Sequence, residues 1–155
     1  MALVRILIDG YSLLHGWPEL APNAARHSHQ AREALLTRLT RYRDATSVPI
    51  TVFFDGQGAP MGTPKLPSSH ALEVLFSRAG QTADDMIERT AYRIRAYGEV
   101  LVVTDDYAER DTVINMGGFA ASCGSFIAQV EAALAEMNVD LKHHNRREIQ
   151  RFRKP

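Results

Sequence analysis

EVLVVTDDYAERD, residues 99–111, runs an unbroken apolar strand into two adjacent carboxylates. Like charges side by side repel, so a buried strand that ends on Asp105 and Asp106 needs a cause. The arrangement recurs along the chain. VRILIDGYS sets Asp9 after an apolar run, ITVFFDG sets Asp55 after another, and GQTADDMIE opens a helix with Asp84 and Asp85. What these acids share decides the fold.

Working outward from that stretch, strand and helix patterns alternate. Residues 3–8, 49–54, 72–76 and 100–104 are short β-branched or aromatic runs bounded by Gly, Pro, Asp or Ser, as buried parallel strands tend to be. Leu35, Leu36, Leu39 and Tyr42 give one apolar helical face within residues 28–45, with Ser28 as N-cap. Met86, Ile87, Ala91, Ile94 and Tyr97 give a second, ended by Gly98. Phe126, Ile127, Val130 and Leu134 give a third within residues 126–137. Strand and helix in turn predict βαβ units, closing right-handed into a parallel sheet covered on both faces. Residues 15–27 and 56–70 have no apolar period; the latter, rich in Gly, Pro and Ser, reads as a mobile surface loop.

In such a sheet the strands' carboxyl ends share one edge, and ligands bind in the crevice outside it. Asp9, Asp55 and Asp105/Asp106 end strands at that edge, and Asp84 and Asp85 begin a helix there. Each acid alone has a structural explanation, because Asp caps helix N-termini and serves turns. Four chain segments delivering acids to one rim, with no Lys or Arg at the same motif positions, instead call for a cation. Hard carboxylate oxygens suit Mg²⁺ or Mn²⁺, whose chemistry is phosphoryl activation and phosphodiester cleavage. No Ser or His nucleophile is evident.

With 155 residues, 45% of them hydrophobic, the chain has the size of one domain with a real core, spanning residues 1–155. No apolar run approaches a membrane span and no signal-peptide pattern opens the chain, so the expectation is a soluble cytoplasmic protein. Cys123 is the only cysteine, which excludes an internal disulfide and a cysteine-rich zinc site. Net charge is zero but unevenly placed: residues 142–155 hold six basic residues against Glu148, a net +5, which leaves −5 on the preceding 141. A basic C-terminal helix or tail on an acidic body suits nucleic-acid contact. The alternative is a final helix packed through Leu141, Ile149 and Phe152. His15 and Trp17 suit base stacking or packing on their own domain, and Arg78 and Lys65 suit a phosphate or plain solvent.

The set LIDGYSLLH (7–15), FFDG (53–56), FSRAGQTADDMIER (76–89), VVTDDYAE (102–109) and GGFAAS (117–122) resembles the YacP-like NYN domain family, a branch of the PIN-like metal-dependent ribonuclease superfamily. The resemblance runs in order over nearly the whole chain. It implies a PIN-like, Rossmann-like α/β/α sandwich with a mainly parallel central sheet, and Mg²⁺- or Mn²⁺-dependent endoribonuclease activity on RNA, met free or on a ribosome. It also implies that Asp9, Asp84 and Asp106 are catalytic metal ligands, with Asp55 a more peripheral one. Ser12 stands where the family usually has Asn, and Thr104-Asp105-Asp106 where it has Thr-Ser-Asp; with Asp85 these are supporting residues. No basic residue lies between Arg110 and Lys142. RNA contact therefore falls to Arg146, Arg147, Arg151 and Arg153.

Three other phosphate-handling α/β folds lack their marks here. A receiver domain needs an acidic pair after the first strand and a lysine after the last; a dehalogenase-like phosphatase needs D-x-D; a dinucleotide binder needs G-x-G-x-x-G. The competing function is a PIN-like module that binds RNA or a ribonucleoprotein without cutting it.

Overall fold

A computed structural model of the chain describes residues 3–56 and 71–153, without the side chains of residues 148 and 150–153. The expected loop at 56–70, Lys65 included, therefore lies outside the described residues except for Gly56. The side chains of Arg151, Phe152 and Arg153 lie outside them too.

Five strands form one sheet: β1 (Leu3–Asp9), β2 (Ile50–Phe54), β3 (Leu72–Phe76), β4 (Glu99–Val103) and β5 (Phe119–Ala121). All adjacent pairs are parallel, in the order β3-β2-β1-β4-β5. The order reverses between β1 and β4, so the crevice expected of an open parallel sheet opens at the carboxyl ends of those two strands.

Strand periodicity splits the core into two layers. Ile6, Ile8, Ile50, Val52, Phe54 and Val103 face one side. There they meet α1 (Gly10–His15), α2 (His29–Thr46) and the first half of α5 (Cys123–Arg153). Leu7, Phe53, Val100 and Val102 face the other side, against Ala83, Ile87 and Ala91 of α3 (Ala83–Ile94) and Val113 of α4 (Tyr107–Asn115). The result is a three-layer α/β/α sandwich. Among the described residues no helix is long and apolar enough to cross a membrane.

All four expected strands form, with ends shifted by at most a residue. Ser28 caps α2, its hydroxyl accepting the Ala31 amide at 3.1 Å. Trp17 is 2% exposed, so it packs on its own domain. Tyr97, expected on the apolar face of α3, instead lies in a 3-10 turn beyond it and is exposed. Three elements had no sequence signal. α1 has six residues and β5 three, too short for a period to show, and α4 buries only Glu109 and Val113. Tertiary contact, not local pattern, makes them. The last helix begins before residue 126 and runs far past 137. Among its described side chains the last buried one is Leu134, beyond which Val139, Leu141 and Ile149 are about half exposed rather than packed on the sheet.

Candidate metal centre

β1 turns directly into α1 at Asp9. Gly10 permits this, because a Cβ there would run into the Phe54 ring. Asp9 is the N-cap of α1, its carboxylate accepting the Ser12 amide at 3.3 Å. α3 starts with a reciprocal cap: the Thr82 hydroxyl accepts the Asp85 amide at 3.1 Å and the Asp85 carboxylate accepts the Thr82 amide at 3.2 Å. Asp85 is thereby used for the helix end, while Asp84 beside it serves the crevice.

The two aspartates after β4 part company. The Asp105 carboxylate accepts the Cys123 amide at 2.9 Å and so holds the start of α5, while its own amide donates to the Ser12 hydroxyl at 3.2 Å. Ser12, at the place of the family's usual Asn, thus ties α1 to the turn after β4. Asp106 caps α4, accepting the amides of Ala108 and Glu109 at 2.9 and 3.3 Å. Its own amide donates to buried Thr104 at 3.2 Å. Asp105 lies near enough to act on the Cys123 thiol, which burial pushes up to about 11 and keeps an inert packing group. The charge of Asp106 acts on Asp9.

Capping α4 at Asp106 points Glu109 inward. Glu109 is 2% exposed, and neither carboxylate oxygen meets a donor at hydrogen-bonding geometry among the described residues. One oxygen each of Asp9, Asp84 and Glu109 lie within 4.8 Å of one another. Burial pushes Asp9 up to about 6, opposed by the Ser12 amide and helped by the charges of Asp84 and Asp106. Burial, then the adjacent Asp84, pushes Glu109 well above the usual carboxylate range, opposed by the nearby Thr104 hydroxyl.

Residues 9 and 84 of the expected set therefore converge, and they do so with Glu109. Asp106 borders the cluster as a helix cap. Asp55, its carboxylate accepting the Ser77 hydroxyl at 3.2 Å, lines a neighbouring cleft of about 340 Å³ with Asp9, Asp84, Tyr11, Ser12 and His27. The backbone at Arg146, Arg147, Arg151 and Arg153 belongs to the far end of α5. Glu109 escaped the sequence because Asp106-x-x-Glu109 is the spacing of a capping box, which reads as purely structural. The available signal was that α4 starts at the rim, so a first-turn acid can turn into it.

The donors fit a hard divalent ion. All are carboxylate oxygens, and around an octahedral ion with bonds of roughly 2.0–2.1 Å ligand oxygens lie about 3 Å apart when adjacent and about 4 Å when opposite. Small side-chain rotations close the cluster to that size. Glu109 is the more telling feature: its buried oxygens meet no donor at good hydrogen-bonding geometry, the Thr104 hydroxyl being a weak neighbour only, and a buried carboxylate set against other acids is costly unless a proton or cation joins it.

A protein named YacP of Bacillus subtilis (strain 168), described as uncharacterized, is 29% identical over 127 residues, 81% of this chain and 74% of its own length. The crystal structure of Rae1 (YacP) from Bacillus subtilis superposes with TM-score 0.75 at 24% identity, covering 97% of this chain and 85% of that one. A single-substitution variant of the same protein gives TM-score 0.78 over 92% and 84%. At that identity the likeness carries the fold. The model of the YacP-like NYN domain matches residues 6–155. With the acidic cluster at the strand-order reversal and nearly the full length matched, the chain belongs to the YacP-like NYN domain family, whose members are PIN-like nuclease domains.

Proposed function

We propose that the protein is a divalent-metal-dependent endoribonuclease, a hydrolase of RNA phosphodiester bonds in the cytoplasm. The observation that carries this is the convergence of Asp9, Asp84 and Glu109, with Glu109 buried against the other two acids, in a chain of this family. Asp9, Asp84 and Glu109 would hold Mg²⁺ or Mn²⁺, which supplies Lewis-acid polarisation of a phosphoryl group and eases deprotonation of water. Asp106 keeps α4 in place so that Glu109 points inward, and adds negative charge that favours the cation. Asp55, oriented by Ser77, faces the cleft beside the cluster and suits a water-mediated contact. The cleft's size suits a nucleotide flanking the scissile phosphate. Arg146 and Arg147, both exposed, supply phosphate contact without sequence reading, joined by Arg151 and Arg153.

The test is cleavage of a panel of RNAs in Mg²⁺, Mn²⁺ and EDTA by the purified chain and its Asp9→Asn variant. Metal-dependent cutting lost in the variant is expected. RNA bound equally well with and without metal and left intact would instead support the non-cutting module.

A further inference from the structure

We propose that Tyr107 and Arg110 form a stacking platform for single-stranded RNA beside the acidic cluster. The proposal rests on the ribonuclease reading for the class of its ligand, and its argument lies in the two faces of one helical turn. The first turn of α4 sends Glu109 inward, 2% exposed, and Tyr107 outward, 77% exposed. The Arg110 guanidinium lies over the Tyr107 ring, 4.2 Å from its centroid. Among the described residues Arg110 has no ion pair and its Nε no hydrogen-bond partner, although Asp106 and Asp111 are close in sequence. The ring, not a carboxylate, therefore orients this cation, and its charge stays available to a phosphate.

Position gives the pair its meaning. A strand that brings a phosphate to Asp9, Asp84 and Glu109 has a nucleoside on either side of it; the cleft lined by Asp55 and Tyr11 suits one, and the turn that supplies Glu109 offers the other an adjoining surface. An exposed aromatic accepts any base on its face, and a neighbouring arginine offsets the repulsion that an acidic rim exerts on phosphates. In a duplex the base faces are already stacked, so the platform selects single strands.

The molecule carries its own control. Arg95 lies 4.0 Å over the ring of Tyr92, which is 58% exposed, a second cation–aromatic pair of the same kind. It sits at the end of α3 away from Asp84, where α3 leaves the carboxyl edge. If such pairs only decorate helix surfaces, the two behave alike.

Binding of a labelled short single-stranded RNA, and of the same sequence annealed to its complement, is measured by fluorescence anisotropy in EDTA, so that cleavage plays no part. Loss of one base stack weakens binding by roughly 5- to 150-fold. Tyr107→Ala is expected to weaken single-strand binding about tenfold and Tyr107→Trp to retain it. Tyr92→Ala leaves it at the wild-type value, and duplex binding is the same in the wild type and the Tyr107 and Tyr92 variants. Arg110→Gln lowers the salt slope for the single strand by about 0.7. The proposal is overturned if Tyr107→Ala matches the wild type, if Tyr92→Ala loses as much, if duplex binding falls in parallel, or if the wild-type chain binds no single strand. A chain that shows the Tyr107 effect yet never cuts in either Mg²⁺ or Mn²⁺ would sink the nuclease reading and leave the platform standing.

Discussion

The carboxyl edge of the sheet and the far half of α5 carry opposite charge and are built in opposite ways. At the edge, Asp9, Asp84 and Glu109 are pressed together by the sheet and by helix caps, partly or wholly buried, with Asp105 and Asp106 exposed beside them, and burial pushes Asp9 and Glu109 above the usual carboxylate range. Beyond Leu134, α5 carries its cations on a stretch with no buried residue among the described side chains. A single helix connects the two, starting where Asp105 holds the Cys123 amide and reaching Arg146 about 35 Å further on. The charge asymmetry of the sequence is thus a separation in space. The arginines sit too far away to neutralise the acids, so the edge needs a cation of its own, and the helix end is free to meet a polyanion elsewhere.

The largest effect tests whether charge at the edge is chemistry or architecture. Asp9→Asn keeps the side chain's size, and cleavage is expected to fall at least about a hundredfold, since even indirect partners of a metal ligand cost roughly 10- to 100-fold. The metal-free melting temperature should hold or rise, because a neutral amide relieves the burial that raises Asp9. Cleavage surviving in the variant would detach the acids from the activity.

Architecture at the same edge is probed by Gly10→Ala. The added methyl meets the Phe54 ring, so overpacking should cost about 1–3 kcal/mol and lower the melting temperature by roughly 2–10 °C, read by calorimetry. An unchanged melting temperature would mean that α1 is not pressed against β2 as described.

A smaller effect concerns pH. Asp9 titrates at about 6 in the fold, and an unfolded aspartate near ~4, so the folded state holds the extra proton between them. That contribution is complete below the lower value and is lost as pH rises through about 6; Glu109, raised further, extends the loss to higher pH. Melting in EDTA should therefore decline across this window, and stabilisation by Mg²⁺ should be larger at pH 8 than at pH 5. A magnesium shift independent of pH would separate the ion from these carboxyls.

The smallest effect belongs to the helix end. Arg146→Gln combined with Arg147→Gln should reduce the slope of log affinity against log salt by about 1.4 if both touch single-stranded phosphate, as followed by RNA binding from low to moderate salt. The same slope in a well-folded double variant would leave those arginines as solvated charge.

Much of this was legible in the chain. The apolar runs at residues 3–8, 49–54, 72–76 and 100–104 are strands because continuous β-branched and aromatic residues suit burial on both faces, and the acids after them mark one edge. Illegible were α1, α4 and β5, and with α4 the inward turn of Glu109. A six-residue helix and a three-residue strand carry too few positions for any period, and α4 keeps only two residues out of solvent.

The aspartate pair that opened the question shows where the boundary falls. By itself the sequence determined that strands alternate with helices, that Asp9, Asp55, Asp84 and Asp105/Asp106 collect at the carboxyl edge, and that the C-terminal segment is basic, because periodicity and charge are properties of local order. Only the tertiary structure decided that Asp105 holds α5 while Asp106 holds α4, that Glu109 joins Asp9 and Asp84, and that the basic helix end points away from them. Those outcomes depend on helix phase and direction, which are set by packing against the sheet; a one-residue change of phase would turn a buried ligand into a solvated surface charge.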